Sequence, residues 1–62
     1  MIYDLYEMKD NRWVVTDTFH DLAEAIEYFG PDSILQVSDG VYTVNAGDDV
    51  SMLRMLIQCK VA

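Results

Sequence analysis

The clearest structural signal in the chain is residues 34–45, which read ILQVSDGVYTVN. Two β-prone runs flank Asp39-Gly40, a dipeptide typical of a two-residue type I′ hairpin turn, in which both central residues need a positive φ. A two-residue loop sets Ser38 opposite Val41 and fixes the register of the hairpin. Side chains alternate along each strand, so one face of the hairpin is predicted to be buried. The predicted core face carries Leu35, Val37, Tyr42 and Val44.

A second hairpin is predicted earlier in the chain. Residues 2–8 and 13–19 are rich in aromatic and branched side chains, and residues 9–12 are polar and turn-forming. With Asp10-Asn11 at the turn, the predicted core face carries Ile2, Tyr6, Met8, Trp13, Val15 and Phe19. This register sets Asp4 opposite Asp17, which like-charge repulsion disfavours. A bulge or a longer loop would relieve that repulsion, so the register stays open.

Residues 21–31, between the hairpins, predict a short helix. Asp21 is a favourable N-cap, and Glu24 three residues later resembles the second half of a capping box. The apolar stripe that would lie on a core consists of Leu22, Ala25, Ile26 and Phe29. Gly30-Pro31 is a stop signal at the C-terminal end of the helix.

The tail after Gly47 has two interpretations. Asp48 or Asp49 could cap a helix from Val50 to about Gln58, because the residues in that range favour helix. The alternative is a late strand, since apolar residues alternate over residues 55–61. With the helix preferred, the predicted order is ββαββα. This order is an α+β fold with a four-stranded antiparallel sheet and helices packed on one face.

The chain is predicted to form a single small acidic domain over residues 1–62. A domain of this size buries only about 60% of its unfolded surface, so dimerisation would help to stabilise it. One cysteine and one histidine exclude an internal disulfide and a tetrahedral zinc site, and no metal or cofactor is expected. A secretory signal is not recognisable, and no apolar run approaches the roughly 20 residues of a membrane span. The expected location is therefore cytoplasmic.

Charge is distributed unevenly along the chain. From Trp13 through Leu53 there are eight carboxylates and no lysine or arginine, and the net charge of the whole chain is −7. Direct nucleic-acid binding is disfavoured, because phosphate contacts require basic side chains. Cys59 is predicted to be a small buried hydrophobe rather than a nucleophile, since nothing nearby in the sequence would lower its pKa. No catalytic residue is predicted.

The predicted helix gathers part of this charge into one ridge. Asp21, Glu24 and Glu27 point away from its apolar stripe, with Asp17 just before them and Asp32 just after, over about 20 Å. Tyr28 shares a side with Glu24 and Glu27 and could anchor a partner. Duplex DNA presents a phosphate about every 3.4 Å per strand, so a protein that grips phosphates could accept this ridge instead. The simpler alternative is a solvated face that keeps a small protein soluble.

A helical tail would offer a different surface. Its second apolar stripe, beside the core-facing one, would consist of Met52, Met55, Leu56 and Cys59. A helix that is apolar around most of its circumference is buried on more than one side. This stripe therefore predicts an interface in a homodimer or on a larger protein, with a simple thick core as the alternative.

No family motif can be quoted residue by residue. In size, acidity and lack of catalytic groups, the chain resembles the small inhibitors that bacteriophages and mobile elements use against host nucleases, including anti-CRISPR and anti-restriction proteins. The resemblance implies a non-enzymatic nucleic-acid mimic that binds a basic nucleic-acid-binding protein of a host and blocks its phosphate-binding groove. The residues expected to bind that partner are Asp17, Asp21, Glu24, Glu27, Tyr28 and Asp32. The alternative is an assembly module that homodimerises or docks through its Met-rich C-terminal segment.

Overall fold

The structure is a computed structural model that describes residues 1–45 and 53–61. In this part of the chain, five strands form one antiparallel sheet and a single α-helix lies between the second and third strands. The elements are β1 (Ile2–Lys9), β2 (Arg12–Phe19), α1 (Leu22–Phe29), a 3-10 turn (Pro31–Ser33), β3 (Ile34–Ser38), β4 (Val41–Val44) and β5 (Met55–Lys60). The strands lie in the order β2-β1-β5-β4-β3, so β5 joins the two hairpins into a single sheet.

The predicted four-stranded ββαββα fold with helices on one face is wrong, because residues 55–60 form the central strand of the sheet. β5 pairs with β1 on one side and with β4 on the other. Without β5, one edge of β1 and one edge of β4 would each have a row of unpaired backbone N–H and C=O groups. Buried backbone groups require hydrogen-bond partners. Helix propensities differ by less than about 0.7 kcal/mol between ordinary residues, so this pairing outweighs them. The predicted start of the tail helix, residues 48–52, lies outside the described residues.

The first hairpin turns at Asp10-Asn11, as predicted. Both residues have a positive φ, 52° and 63°, which is the conformation of a type I′ turn. The register shifts between Leu5 and Tyr6, so that Leu5 lies opposite Asp17 and Tyr6 lies opposite Val15. Because of this irregularity, the carboxylates of Asp4 and Asp17 do not face each other directly. The sequence had left open a bulge of this kind.

The same shift overturns the predicted core face of the first hairpin. One additional residue in β2 moves Phe19 to the opposite face from Trp13, because side chains alternate with a period of two. Phe19 is buried in the core with Leu5. Tyr6, Met8, Trp13 and Val15 remain together, but on the other face of the sheet.

The second hairpin also differs from its prediction. Gly40 has a φ of 75° whereas Asp39 does not have a positive φ, so the turn is not type I′. Ser38 lies opposite Val41 as expected, but the register shifts between Gln36 and Ser38. Ile34 therefore takes the place opposite Val44 that was predicted for Leu35. Leu35 is exposed, and so is Val37, instead of both being buried.

The core lies between α1 and one face of the sheet. Its fully buried members are Leu5, Phe19, Ala25, Val44 and Ile57, with Tyr3, Phe29, Ile34, Tyr42 and Met55 packed around them. The helix begins and ends where the sequence predicts. Asp21 Oδ1 accepts a hydrogen bond of 2.8 Å from the Glu24 N–H, and the Gly30 N–H donates to the Ile26 carbonyl at 2.7 Å.

Candidate functional site

The predicted acidic ridge lies on the layer of the molecule that contains α1. Asp21 caps the helix, Glu24 and Glu27 lie within it, and Asp32 lies in the 3-10 turn that follows. Asp17 stands opposite Leu5 in β2, so it points to the same side of the sheet as the helix. All five carboxylate side chains are exposed. The eight helical residues span about 12 Å, which is shorter than the 20 Å expected for the whole ridge.

Tyr28 is exposed beside these carboxylates. It is 71% exposed, yet its ring is held by aromatic neighbours: its centroid lies 4.8 Å from that of Phe29 and 5.9 Å from that of Phe19. Edge-on and tilted contacts at such distances are favourable. A ring that is exposed and already fixed in place loses little conformational entropy when a partner covers it.

The basic side chains lie away from segment 21–32. Lys9 and Arg12 flank the β1–β2 turn, on the same side of the sheet as Asp17 but at the opposite end of β2 from α1. The Arg54 carbonyl accepts a hydrogen bond from the Met8 N–H near that same end of the sheet. Lys60 lies on the face of the sheet opposite α1, where its Nζ is 3.0 Å from Asp4 Oδ2. Segment 21–32 itself contains four carboxylates and one tyrosine, and it contains no lysine or arginine.

The environment of Lys60 also affects its titration. Its Nζ lies 5.5 Å from the centroid of the Tyr6 ring. A hydrogen bond with Tyr6, followed by one with Asp4, raises the pKa of Lys60 above its ordinary value of 10.5. The ion pair places the positive charge of Lys60 beside the negative charge of Asp4 on the face away from the helix.

The residues predicted for a dimer interface do not share one surface. Met52 lies outside the described residues. In β5, Met55 and Cys59 alternate with Leu56, so Met55 and Cys59 point to the helix side of the sheet and Leu56 points to the other side. The Cys59 side chain lies beside Tyr3, and their hydrogen bond is the largest cause of the raised Tyr3 pKa. In a strand, the described residues predicted for the dimer interface therefore lie on two different faces, whereas a helix would have placed them on one.

The sequence interpretation missed a second surface, the sheet face opposite α1, which we call the open face. Tyr6, Trp13, Leu56 and Gln58 line a shallow hollow of about 210 Å³ there. The alternation of apolar residues in β5 was a signal for this surface, because it indicates a fifth strand in place of a second helix. A single short helix can cover only one face of a five-stranded sheet. Placing β5 at the centre of the sheet would have shown that, within residues 1–45 and 53–61, no second layer packs on the other face.

Other kinds of site find no support in the described ranges. Among residues 1–45 and 53–61, no three His, Cys, Asp or Glu side chains come together as a set that could hold a metal ion. The single α-helix of this part is too short to cross a bilayer. No family model, curated protein or solved structure matches the chain, so its function has to be argued from its own surfaces.

Proposed function

We propose that the chain is a non-enzymatic binding protein whose acidic helix layer docks on a basic, nucleic-acid-handling protein and blocks its phosphate-binding groove. The observation that carries the proposal is segment 21–32. This segment carries four exposed carboxylates, at Asp21, Glu24, Glu27 and Asp32, and one exposed tyrosine, Tyr28.

The charge of this layer supports long-range attraction to a basic partner. Clustered charge of one sign raises association rates, and the effect falls steeply with ionic strength. The Debye length shortens from about 10 Å at 0.1 M salt to about 3 Å at 1 M. Binding that begins on the helix layer should therefore weaken markedly over that range of salt.

Tyr28 supports short-range contact at the same place. Tyrosine is among the residue types that dominate binding energy at protein interfaces, especially near the centre of a contact. The packing of its ring against Phe19 and Phe29 fixes its direction before any partner arrives. Charge would thus guide the partner to the helix, and the aromatic ring would supply apolar contact once water is excluded.

The experiment is capture of proteins from a nuclease-treated bacterial lysate on the immobilised chain, followed by elution with increasing salt. We expect basic nucleic-acid-binding proteins to be retained and to elute as salt rises. A short DNA duplex, applied to the retained proteins after the nuclease has been washed away, should displace them because it competes for the same groove. Retained proteins that resist both salt and DNA would contradict the proposal.

Two matched variants test whether the helix layer is responsible. Glu27→Lys and Asp39→Lys each change the net charge by the same amount, from −7 to −5, and both positions are exposed. Glu27 lies near the C-terminal end of α1, where lysine suits the helix dipole. We expect Glu27→Lys to weaken capture at least tenfold and Asp39→Lys, in the β3–β4 turn, to weaken it much less. Equal losses would show that only overall charge matters.

A further inference from the structure

Among the described residues, no layer packs over the open face of the sheet. One row of side chains on this face includes a residue from each of the five strands. We propose that this face is covered by the same face of a second copy of the chain, in a two-fold symmetric homodimer. This inference is independent of the acidic helix layer, which lies on the other side of the sheet.

The row is defined by the strand pairing. From one edge of the sheet to the other it runs Val15, Tyr6, Leu56, Thr43 and Leu35. Neighbouring strands are about 4.8 Å apart, so the row is about 19 Å long. Its two ends are the most open positions, with Val15 50% and Leu35 63% exposed. Leucine and valine at these exposures are apolar surface that a partner would remove from water.

The row is complementary to itself. A two-fold axis that runs parallel to β5 and passes over Leu56 superimposes the row on its own reverse. Leu56 then meets Leu56, and Leu35 at one edge meets Val15 at the other. Thr43, which is only 6% exposed, lies beneath Tyr6 of the second copy and adds little contact surface. Two sheets that pack face to face lie about 10 Å apart with strands aligned within about 30°, so the central Leu56 pair is kept and the residues at the two ends remain neighbours. The same two-fold operation is what a closed homodimer requires.

The charge distribution is compatible with this arrangement. Each copy has a net charge of −7, so two copies repel unless their contact faces are nearly neutral. On the open face, Asp4 is paired with Lys60 at 3.0 Å, and the crossing row carries no charge. The acidic helix layers would lie on the two outer sides of the dimer. Two sheets would then separate them, which is much more than the Debye length of about 8 Å at physiological salt.

The area of the open face is close to what a dimer requires. Five strands about 4.8 Å apart and about six residues long make a face of roughly 480 Å². Two copies therefore bury about 960 Å² in flat projection, and the relief of the side chains adds to this figure. Specific interfaces require about 1,000 Å², so we expect a dimer of modest affinity. The hollow between Tyr6, Trp13 and Leu56 offers space for a side chain of the second copy.

Sedimentation velocity over a range of protein concentrations tests the dimer. We expect the wild-type chain to shift from monomer to dimer as concentration rises. Leu35→Glu should raise the dissociation constant at least tenfold, because it places a charge in each copy of the contact. Val61→Glu is the matched control: Val61 is 88% exposed, lies outside the row and should leave dimerisation unchanged. Circular dichroism of each variant confirms that the sheet is intact.

Cross-linking tests the register. The single variants Val15→Cys and Leu35→Cys are mixed and treated with a thiol-reactive cross-linker about 10 Å long, which matches the spacing of two packed sheets. The products are identified by mass after digestion. Within one molecule the two positions are about 19 Å apart, too far for this linker. We expect a cross-link between position 15 of one copy and position 35 of the other, and none when Val61→Cys replaces either variant. A chain that stays monomeric, a dimer unaffected by Leu35→Glu, or a mixture that forms no such cross-link would overturn the proposal.

Discussion

Replacing Ile57 with valine tests the central position of β5. Ile57 is completely buried, lies between Leu5 of β1 and Tyr42 of β4, and belongs to the core beneath α1. It also points away from the open face, so the substitution should not disturb contacts there. Removal of one methylene from such a site leaves a small cavity that the surrounding strands cannot fill completely.

The expected loss is a substantial part of the total stability. Ile→Val substitutions in cores cost about 0.5–1.5 kcal/mol. A domain of 62 residues is stable by about 3–9 kcal/mol, at 0.05–0.15 kcal/mol per residue. With a urea m-value of about 1 kcal/mol/M for a chain this small, the unfolding midpoint should fall by about 1 M. Ile57→Ala, at about 2–5 kcal/mol, should lower the midpoint by about 2–5 M, several times the effect of Ile57→Val.

Urea denaturation followed by circular dichroism measures this loss. Val61→Ala serves as the control, because it also shortens an apolar side chain on the C-terminal side of the sheet but at a position that is 88% exposed. A surface change of this kind should alter stability by less than about 0.5 kcal/mol. Equal midpoints for Ile57→Val and Val61→Ala would refute the placement of Ile57 in the core.

Three further predictions concern the cap, a turn and the Lys60 cluster. Asp21→Ala removes the side-chain acceptor at the start of α1 and should cost about 1 kcal/mol in urea unfolding, whereas Asp21→Asn should cost much less. Gly40→Ala should cost more than about 1 kcal/mol by the same measurement, because φ is 75° there and the new Cβ would come within 3.4 Å of a β5 side chain. Because contacts with Tyr6 and Asp4 raise the folded pKa of Lys60, their contribution is complete below pH 10.5 and is lost as the pH rises through the raised value. Urea midpoints measured on both sides of pH 10.5 should therefore fall more for the wild type than for Lys60→Met; equal falls would contradict this assignment.

Local signals predicted local structure well. The N-cap at Asp21, the stop at Gly30 and the turn at Asp10-Asn11 are each specified by a few adjacent residues, and the structure confirms all three. Their energetics depend on short-range hydrogen bonds and backbone dihedral angles, which the sequence encodes directly.

Long-range structure was predicted less well. The bulge in each hairpin changes which face a side chain occupies, and nothing in the alternation pattern of Leu35 and Val37 marks where a bulge falls. The tail has residues that suit a helix, and only the vacant edges of β1 and β4 make it a strand. Tertiary pairing of this kind is outside the reach of local propensity.

The candidate surfaces follow the same division. The exposure of Glu24 and Glu27 follows from the apolar stripe of α1, which the sequence shows. The open face could not be recognised while the tail was taken as a second helix, because that helix would have changed both the number of strands and the layers around them.

The position of β5 has a consequence for how the protein is made on the ribosome. Its backbone partners in β1 are about fifty positions earlier in the chain, as in the pairing of Tyr3 with Cys59. β1 is translated first, but the backbone groups on its inner edge can form hydrogen bonds only after β5, the last of the five strands, has been translated. Such distant pairing slows folding and leaves nascent hairpins prone to aggregation. A stop codon just before residue 55 should therefore yield two disconnected hairpins that cells degrade, rather than a slightly shortened protein.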